Sequence, residues 1–207
     1  LVLLVNPGAE RTPMPEDVFA QHMTYMNRHY ASGVYKLGGP ITDGGRIRGM
    51  IIMEAADRAA ARAIVGNDPA VLAGVFAAEV HPMLARDLAA LPPMPAAQAE
   101  STAPPADLRE YFVVFLVNPG PERIAMPDAV FAAHMAYRNA RVAAGSIKAG
   151  GPVTDGGHIR GVSIVEAASL EAARAAALQD PAVIAGVLAV EAHPMLARNL
   201  SALTPAH

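Results

Sequence analysis

The stretch KLGGPITDGGRIRG at residues 36–49 recurs as KAGGPVTDGGHIRG at residues 148–161. The match extends outward without a gap to residues 1–93 and 113–205, where 57 of the 93 paired positions are identical at a constant offset of 112. A period this long exceeds the roughly 20–50 residues of solenoid repeats. The chain therefore carries two copies of one small domain, placed at residues 1–91 and 109–207 and joined by a Pro/Ala-rich linker at residues 92–108.

Composition narrows the possible functions. The 207 residues are 53% hydrophobic, carry a formal net charge of −3 and show no basic stripe, which argues against nucleic acid as a partner. The absence of cysteine excludes a disulfide framework, a thiolate nucleophile and a cysteine metal site. No apolar run approaches the roughly 18 residues of a membrane span. We therefore expect no membrane partner and, by default, a cytoplasmic protein.

Each copy predicts the order strand, helix, strand, strand, helix, strand. Gly39-Pro40 is expected to end the second strand, and Asp57 and Ser169 are expected to cap the second helix of their copies. The βαββαβ order is that of a ferredoxin-like α+β sandwich. In the first copy the strands are expected at residues 1–6, 34–38, 46–54 and 75–81, and the helices at residues 15–31 and from about 58 to 68.

A ferredoxin-like sheet has helices on one face and needs a partner on the other. Each copy alone would have a marginal core, and a proline-rich linker extends by roughly 3.1 Å per residue, so the copies can pair. We expect an intramolecular dimeric α+β barrel, and a further homo-oligomer stays open. Polar strand residues would then line a cavity between the sheets or simply meet water. They are Asn6, Asn118, Lys36, Lys148, Glu79, Glu191, His81 and His193.

His22 and His134 are the leading candidates for chemistry. Each lies in the middle of a predicted helix, with Tyr25 or Tyr137 three residues later on the same face. An imidazole can move protons near neutral pH, although a histidine beside a core stripe is also a common hydrogen-bonded structural residue. The neighbouring stripe that we expect to face the core consists of Phe19, Met23, Met26 and Tyr30.

An ordered set of motifs in both copies resembles the YciI-like (YCII) family of the dimeric α+β barrel superfamily. The segment from His22 to Pro40 reads H-x10-G-x5-GP, and a long strand, an Ala-rich helix, Asp-Pro-Ala-Val and Ala-Gly-Val follow it. The resemblance covers nearly all of both copies. It implies ferredoxin-like units that pair sheet to sheet, and a His–Asp dyad whose histidines are His22 and His134. Relatives include a dehydrochlorinase of aromatic catabolism, and muconolactone isomerase belongs to the wider superfamily.

Two aspartates in each copy qualify as the partner of the histidine. Asp43 and Asp155 follow the Gly-Pro pair in a Thr-Asp-Gly-Gly turn, and Asp68 and Asp180 each precede a proline. Both settings also have a purely structural explanation, because aspartate is common in turns and before proline at helix ends. The sequence leaves open which carboxylate reaches the imidazole.

Two further groups of residues are candidates for binding a ligand. A Glu-x-His-Pro motif supplies fewer ligands than catalytic zinc uses, so we predict no metal site. Arg48 and Arg160, on the third strand of each copy, clamp an acidic substrate, lie at a solvated edge or form salt bridges with Glu54 and Glu166.

These features predict a cofactor-free enzyme of isomerase or lyase type. It would transfer a proton on a small cyclic or aromatic organic molecule, in an isomerisation, elimination or cyclisation. A non-catalytic small-molecule binding or carrier protein is the alternative, and a structural assembly module is the third hypothesis. The two sites are expected to be unequal, because Arg138 and Arg141 replace Met26 and His29 on the helix that carries the histidine. The predicted substrate-binding residues are Tyr25, Tyr137, Lys36, Lys148, Arg138, Arg141, Glu79, Glu191, His81 and His193.

Overall fold

The computed structural model describes residues 1–85 and 88–203, and the last four residues of the predicted second domain lie outside this range. The chain forms two compact units. The first unit consists of Leu1–Pro82, Leu91–Arg109 and Leu196–Asn199. The second unit consists of Met83–Ala90, Glu110–Met195 and Leu200–His207.

The first copy has the predicted βαββαβ order, with one additional short helix. Its strands form a sheet in the order β2-β3-β1-β4 in which every pairing is antiparallel, as in a ferredoxin-like domain. The elements are β1 (Val2–Val5), α1 (Glu16–Ala31), β2 (Tyr35–Pro40), β3 (Ile47–Met53), α2 (Arg58–Gly66), α3 (Pro69–Leu72) and β4 (Ala77–Val80).

The second copy repeats this arrangement. Its four strands form a sheet in the order β6-β7-β5-β8, which corresponds strand for strand to the first sheet. The α+β class with two ferredoxin-like domains is therefore confirmed. The elements are β5 (Arg109–Val117), α4 (Asp128–Ala143), β6 (Ile147–Pro152), β7 (Ile159–Val165), α5 (Leu170–Ala177), α6 (Pro181–Ile184) and β8 (Ala189–Ala197).

The helix predicted to run to about residue 68 is interrupted. It ends at Gly66, and a one-turn helix, α3, starts at Pro69. Asp68 causes the restart, because its Oδ1 accepts a hydrogen bond from the Ala70 backbone N–H at 2.9 Å and Pro69 is preorganised for a first helical position. This break holds the Asp68 carboxylate at the start of α3.

The second strand is longer than predicted. It does not end before Gly39-Pro40 but continues to Pro40 as β2, at the edge of the sheet. Proline is tolerated on an edge strand because its missing N–H can face away from the neighbouring strand.

The predicted core stripe on the first helix is only half correct. Met26 and Tyr30 are buried, but Phe19 is 39% exposed. The buried row on α1 instead runs through His22, Met26 and Tyr30 at spacings of four residues. His22 can enter this row because Asp68 offers its ring a buried hydrogen-bond partner.

Both predicted N-caps are confirmed. The Asp57 Oδ1 accepts from the Ala60 N–H at 2.7 Å, and the Ser169 Oγ accepts from the Ala172 N–H at 3.2 Å. We expect Asp57→Ala and Ser169→Ala each to lower the free energy of unfolding by about 1 kcal/mol, because each leaves a helix N–H without its cap. Urea denaturation followed by circular dichroism measures the change.

The control for this prediction is Arg62→Ala, on the exposed surface of α2. We expect it to change the free energy of unfolding by less than about 0.5 kcal/mol, as is usual for surface substitutions. Cap variants as stable as Arg62→Ala would contradict the assigned role of the caps.

Candidate active site

A buried histidine–aspartate pair lies in each copy. The His22 Nδ1 is 2.8 Å and 2.9 Å from the two carboxylate oxygens of Asp68, and the His134 Nδ1 is 2.7 Å and 2.8 Å from those of Asp180. All four residues are buried, with Asp68 fully enclosed. Of the two candidate aspartates, the structure therefore brings the one before proline to the imidazole.

The geometry of the pair defines the state of the imidazole. A carboxylate accepts hydrogen bonds, so the nitrogen that faces it is the one that carries the proton. His134 therefore donates Nδ1–H to Asp180, and the neutral form of its ring has the lone pair on Nε2. The contact with the carboxylate fixes both the tautomer and the orientation of the ring, as an aspartate does in other His–Asp pairs.

The other candidate aspartates, Asp43 and Asp155, each lie in the turn before the third strand of their copy. Each closes a turn on its own backbone, where its Oδ1 accepts from the N–H of Gly45 or Gly157 at 2.9 Å. The structure does not bring Asp43 and Asp155 to the imidazoles, since a short side chain two residues from a backbone N–H satisfies the turn locally.

A cavity of about 950 Å³ opens beside His134 in the second unit. Its volume lies at the upper end of the range of pockets for small organic ligands. Apolar side chains form much of its wall, and the cationic side chains of Arg138, Lys148 and Arg160 reach it as well. The apolar part includes Leu116, Phe131, Met135, Val142, Ile147 and Leu188.

The Arg and Lys side chains among the described residues that line this cavity are all cationic, and no carboxylate lies among them. Arg123 joins the three cations above. The Lys148 Nζ lies 2.6 Å from a carboxylate oxygen of Glu166, which is outside the wall. The corresponding pair in the first copy is Lys36 and Glu54, at 2.8 Å.

These lysine contacts correct a prediction. The glutamates at 54 and 166 pair with lysines, and the arginines of the third strands bond elsewhere. The Arg48 Nη1 donates to Asn6 Oδ1 at 3.1 Å, and the Arg160 Nη1 donates to Asn118 Oδ1 at 3.1 Å. An arginine on β3 or β7 therefore contacts the asparagine at the end of the neighbouring strand.

The geometry does not support the predicted role of Tyr25 and Tyr137 in substrate binding. The Tyr25 hydroxyl donates to the Ile64 carbonyl, and the Tyr137 hydroxyl donates to the Ala176 carbonyl, each at 2.5 Å. Burial raises the pKa of Tyr25, and the nearby Asp68 carboxylate raises it further. Each of these hydroxyls attaches the long helix of its copy to the helix that follows.

Four of the other predicted binding residues are engaged away from the cavity. Glu79 forms an ion pair with Arg46, and the Glu191 carboxylate lies 3.6 Å from the His158 ring. The His193 ring packs edge-on against Phe115 and Arg141 lies over the Tyr137 ring, whereas His81 lies just beyond the end of β4. None of these residues belongs to the described wall of the cavity, where Lys148 and Arg138 are the predicted binding residues present.

One of the differences between the two units lies directly beside the histidine. The Phe76 ring packs edge-on against His22, with 5.7 Å between the ring centroids, and the Arg48 guanidinium lies 5.0 Å above the same ring. The position 112 residues later is Leu188, which lines the cavity beside His134 and Arg160. An aromatic ring thus covers in one copy the two groups that the smaller leucine leaves facing a cavity in the other.

Arg123 and Leu188 line the cavity but are not among the residues that the sequence singles out for a site. The change from Phe76 to Leu188 is visible in the aligned copies, but nothing in the sequence shows that this position borders the histidine. Within residues 1–85 and 88–203, no group of three or more His, Cys, Asp or Glu side chains forms a potential metal site. In the same ranges, no helix has the length and apolar character that a membrane crossing requires.

Fold and site together define a class: a tandem pair of ferredoxin-like α+β domains, each with a buried histidine–aspartate pair. The chain belongs to the YCII-related domain family, whose model matches residues 2–83 and 111–194. Each match coincides with one βαββαβ copy. A comparison with curated proteins finds no match.

Proposed function

We propose that this protein is a cofactor-free enzyme that transfers a proton on a small cyclic or aromatic organic molecule, as an isomerase or a lyase. The reaction takes place in the second unit, where His134 is the general base and Asp180 orients it. One observation carries the proposal: a histidine with Nδ1 held by a buried carboxylate lines a cavity of about 950 Å³.

The proposed step uses groups of the chain itself. The Nε2 lone pair of His134 accepts a proton from a carbon next to a carbonyl or an unsaturated bond of the substrate, and the imidazolium that forms is stabilised by Asp180. Negative charge then develops on the substrate, and the cations of the cavity wall stabilise it. The same abstraction starts an isomerisation, an elimination or a cyclisation.

A non-catalytic binding or carrier protein is the second candidate. It is favoured by a second hydrogen bond of Asp180, whose Oδ1 also accepts from the Ala182 N–H at 2.9 Å. The carboxylate thus caps α6 and satisfies His134 in the same place, so the pair has a structural use without any reaction.

The two candidates differ in whether bound molecules exchange carbon-bound hydrogen. Unsaturated lactones, cyclic enones and hydroxylated aromatic acids are incubated with the full-length protein in D₂O, and proton NMR follows the loss of C–H signals. An enzyme exchanges hydrogen in at least one compound, because a general base removes a carbon-bound proton and returns a solvent deuteron to the same carbon. Compounds that bind without exchange across the panel would support the carrier.

A further inference from the structure

Arg160 is anchored by one of its terminal nitrogens. The two Nη1 hydrogen bonds go to Asn118 Oδ1 at 3.1 Å and to the Ile124 carbonyl at 3.2 Å. A guanidinium has five N–H donors, of which Nη1 supplies two. Among the described residues, nothing accepts from the Nε and Nη2 donors of Arg160, which are the pair that can hold two oxygens side by side.

Two arginines bring positive charge to this part of the cavity wall. Arg123 lies close enough to lower the pKa of Arg160 by repulsion, in addition to the larger lowering by burial. Within the described ranges, no carboxylate forms an ion pair with either arginine. Two neighbouring cations at the wall of a cavity favour an anion there, because an anion offsets their mutual repulsion.

We infer that Arg160, assisted by Arg123, binds the anionic oxygens of a substrate whose apolar body reaches His134. The substrate class is a small organic acid, with a carboxylate or phosphate group on a ring or chain that contacts the apolar wall. This inference rests on the proposed function for the role of His134, but the anion subsite exists or fails independently of catalysis.

The first unit provides a built-in comparison. Arg48 makes the same two hydrogen bonds, to Asn6 Oδ1 at 3.1 Å and to the Thr12 carbonyl at 3.2 Å. Its guanidinium is buried beneath the Phe76 ring, whereas the counterpart of that ring in the second unit is Leu188. Anion binding is therefore assigned to Arg160 and not to Arg48.

Binding of simple probes to the full-length protein tests the subsite. Backbone-amide NMR titrations with benzoate, phenyl phosphate, phenol and inorganic phosphate give a dissociation constant for each probe. Benzoate or phenyl phosphate should bind at least about tenfold more tightly than phenol, because an ionic hydrogen-bond pair adds to the same apolar contact. If inorganic phosphate binds as tightly as phenyl phosphate, the proposed substrate class of small organic acids is wrong. If none of the anionic probes binds, the proposed anion subsite is wrong.

The matched variants are Arg160→Gln and Arg48→Gln. We expect Arg160→Gln to weaken binding of the preferred anionic probe about 10- to 100-fold and to change the dissociation constant of phenol by less than about twofold. Arg48→Gln should leave the dissociation constants of both probes unchanged. If Arg160→Gln does not fold, Arg123→Gln is the replacement, because Arg123 lies at an exposed position. It should weaken binding of the anionic probe severalfold. Unchanged anion binding in Arg160→Gln, or in a folded Arg123→Gln used in its place, would overturn the inference.

The variant His134→Asn separates this inference from the proposed function. His134→Asn should retain anion binding to within about threefold, because the charge of Arg160 is unaltered. If the D₂O experiment detects no exchange but anion binding needs Arg160, the proposed reaction fails and the subsite stands. If anion binding is lost in His134→Asn and kept in Arg160→Gln, the imidazole is the anion site and Arg160 is not.

Discussion

His134→Asn is expected to lower the rate of substrate C–H exchange by about 10²–10⁴-fold, the usual contribution of a general base. Asparagine is the informative replacement because its side-chain N–H₂ can donate to Asp180 as the imidazole Nδ1 does, while no nitrogen lone pair replaces Nε2. The buried carboxylate keeps a partner, so a loss of rate reports the chemistry and not collapse of the site.

His22→Asn is the matched control. It makes the same change to a histidine held by Asp68 at almost the same distances, in the unit where Phe76 packs against the ring. We expect this variant to retain the wild-type rate to within about threefold. Melting temperatures of both variants establish that they fold. A folded His134→Asn variant with full activity would remove the histidine from the mechanism, and equal partial losses would mean two equivalent sites.

Gly151→Ala is expected to destabilise the protein by about 3 kcal/mol, in the upper part of the range for overpacking. A Cβ at this position would lie well inside contact distance of the Leu84 carbonyl oxygen, and a backbone atom cannot move aside as a flexible side chain can. The same stretch is held by the Leu84 N–H, which donates to the Pro152 carbonyl at 3.0 Å, and by a bridge between Met83 and Val153.

The consequence reaches the cavity, because Leu84 and Ala85 line it. Urea denaturation measures the loss of stability, and hydrogen exchange should show that the Leu84 amide loses its protection. Gly120→Ala is the control, since a Cβ there meets nothing within 4 Å, and we expect a change below about 0.5 kcal/mol. A Gly151→Ala variant with wild-type stability and a protected Leu84 amide would contradict the close approach.

The close approach of the Leu84 carbonyl to Gly151 explains in physical terms why the motif Gly-Gly-Pro contains glycine. Gly39 in the first unit has the same relation to the Leu196 carbonyl that Gly151 has to Leu84. Sequence analysis read Gly39-Pro40 as the end of a strand, since glycine and proline commonly mark turns. The structure shows instead an edge strand whose glycine lets another backbone segment approach.

Several features were determined by the sequence alone. The repeat at offset 112 established two domains, because identity between copies is readable without coordinates. Turn residues, hydrophobic periodicity and the caps at Asp57 and Ser169 predicted the βαββαβ order, since each depends on residues close in the chain. The motif spacing identified the family and selected His22 and His134. How the two sheets pair stays a prediction.

Tertiary structure decided the site. Asp68 and Asp180 each lie 46 residues from their histidines, and no local pattern distinguishes them from Asp43 and Asp155. The tyrosine hydroxyls and strand glutamates were predicted to bind substrate, but partners elsewhere in the fold engage them. Leu188 lines the cavity beside Arg160, whereas its counterpart Phe76 packs against His22 in the first unit. Local sequence determines which element forms, whereas contacts between distant residues depend on how the elements pack and which side chains fill the space.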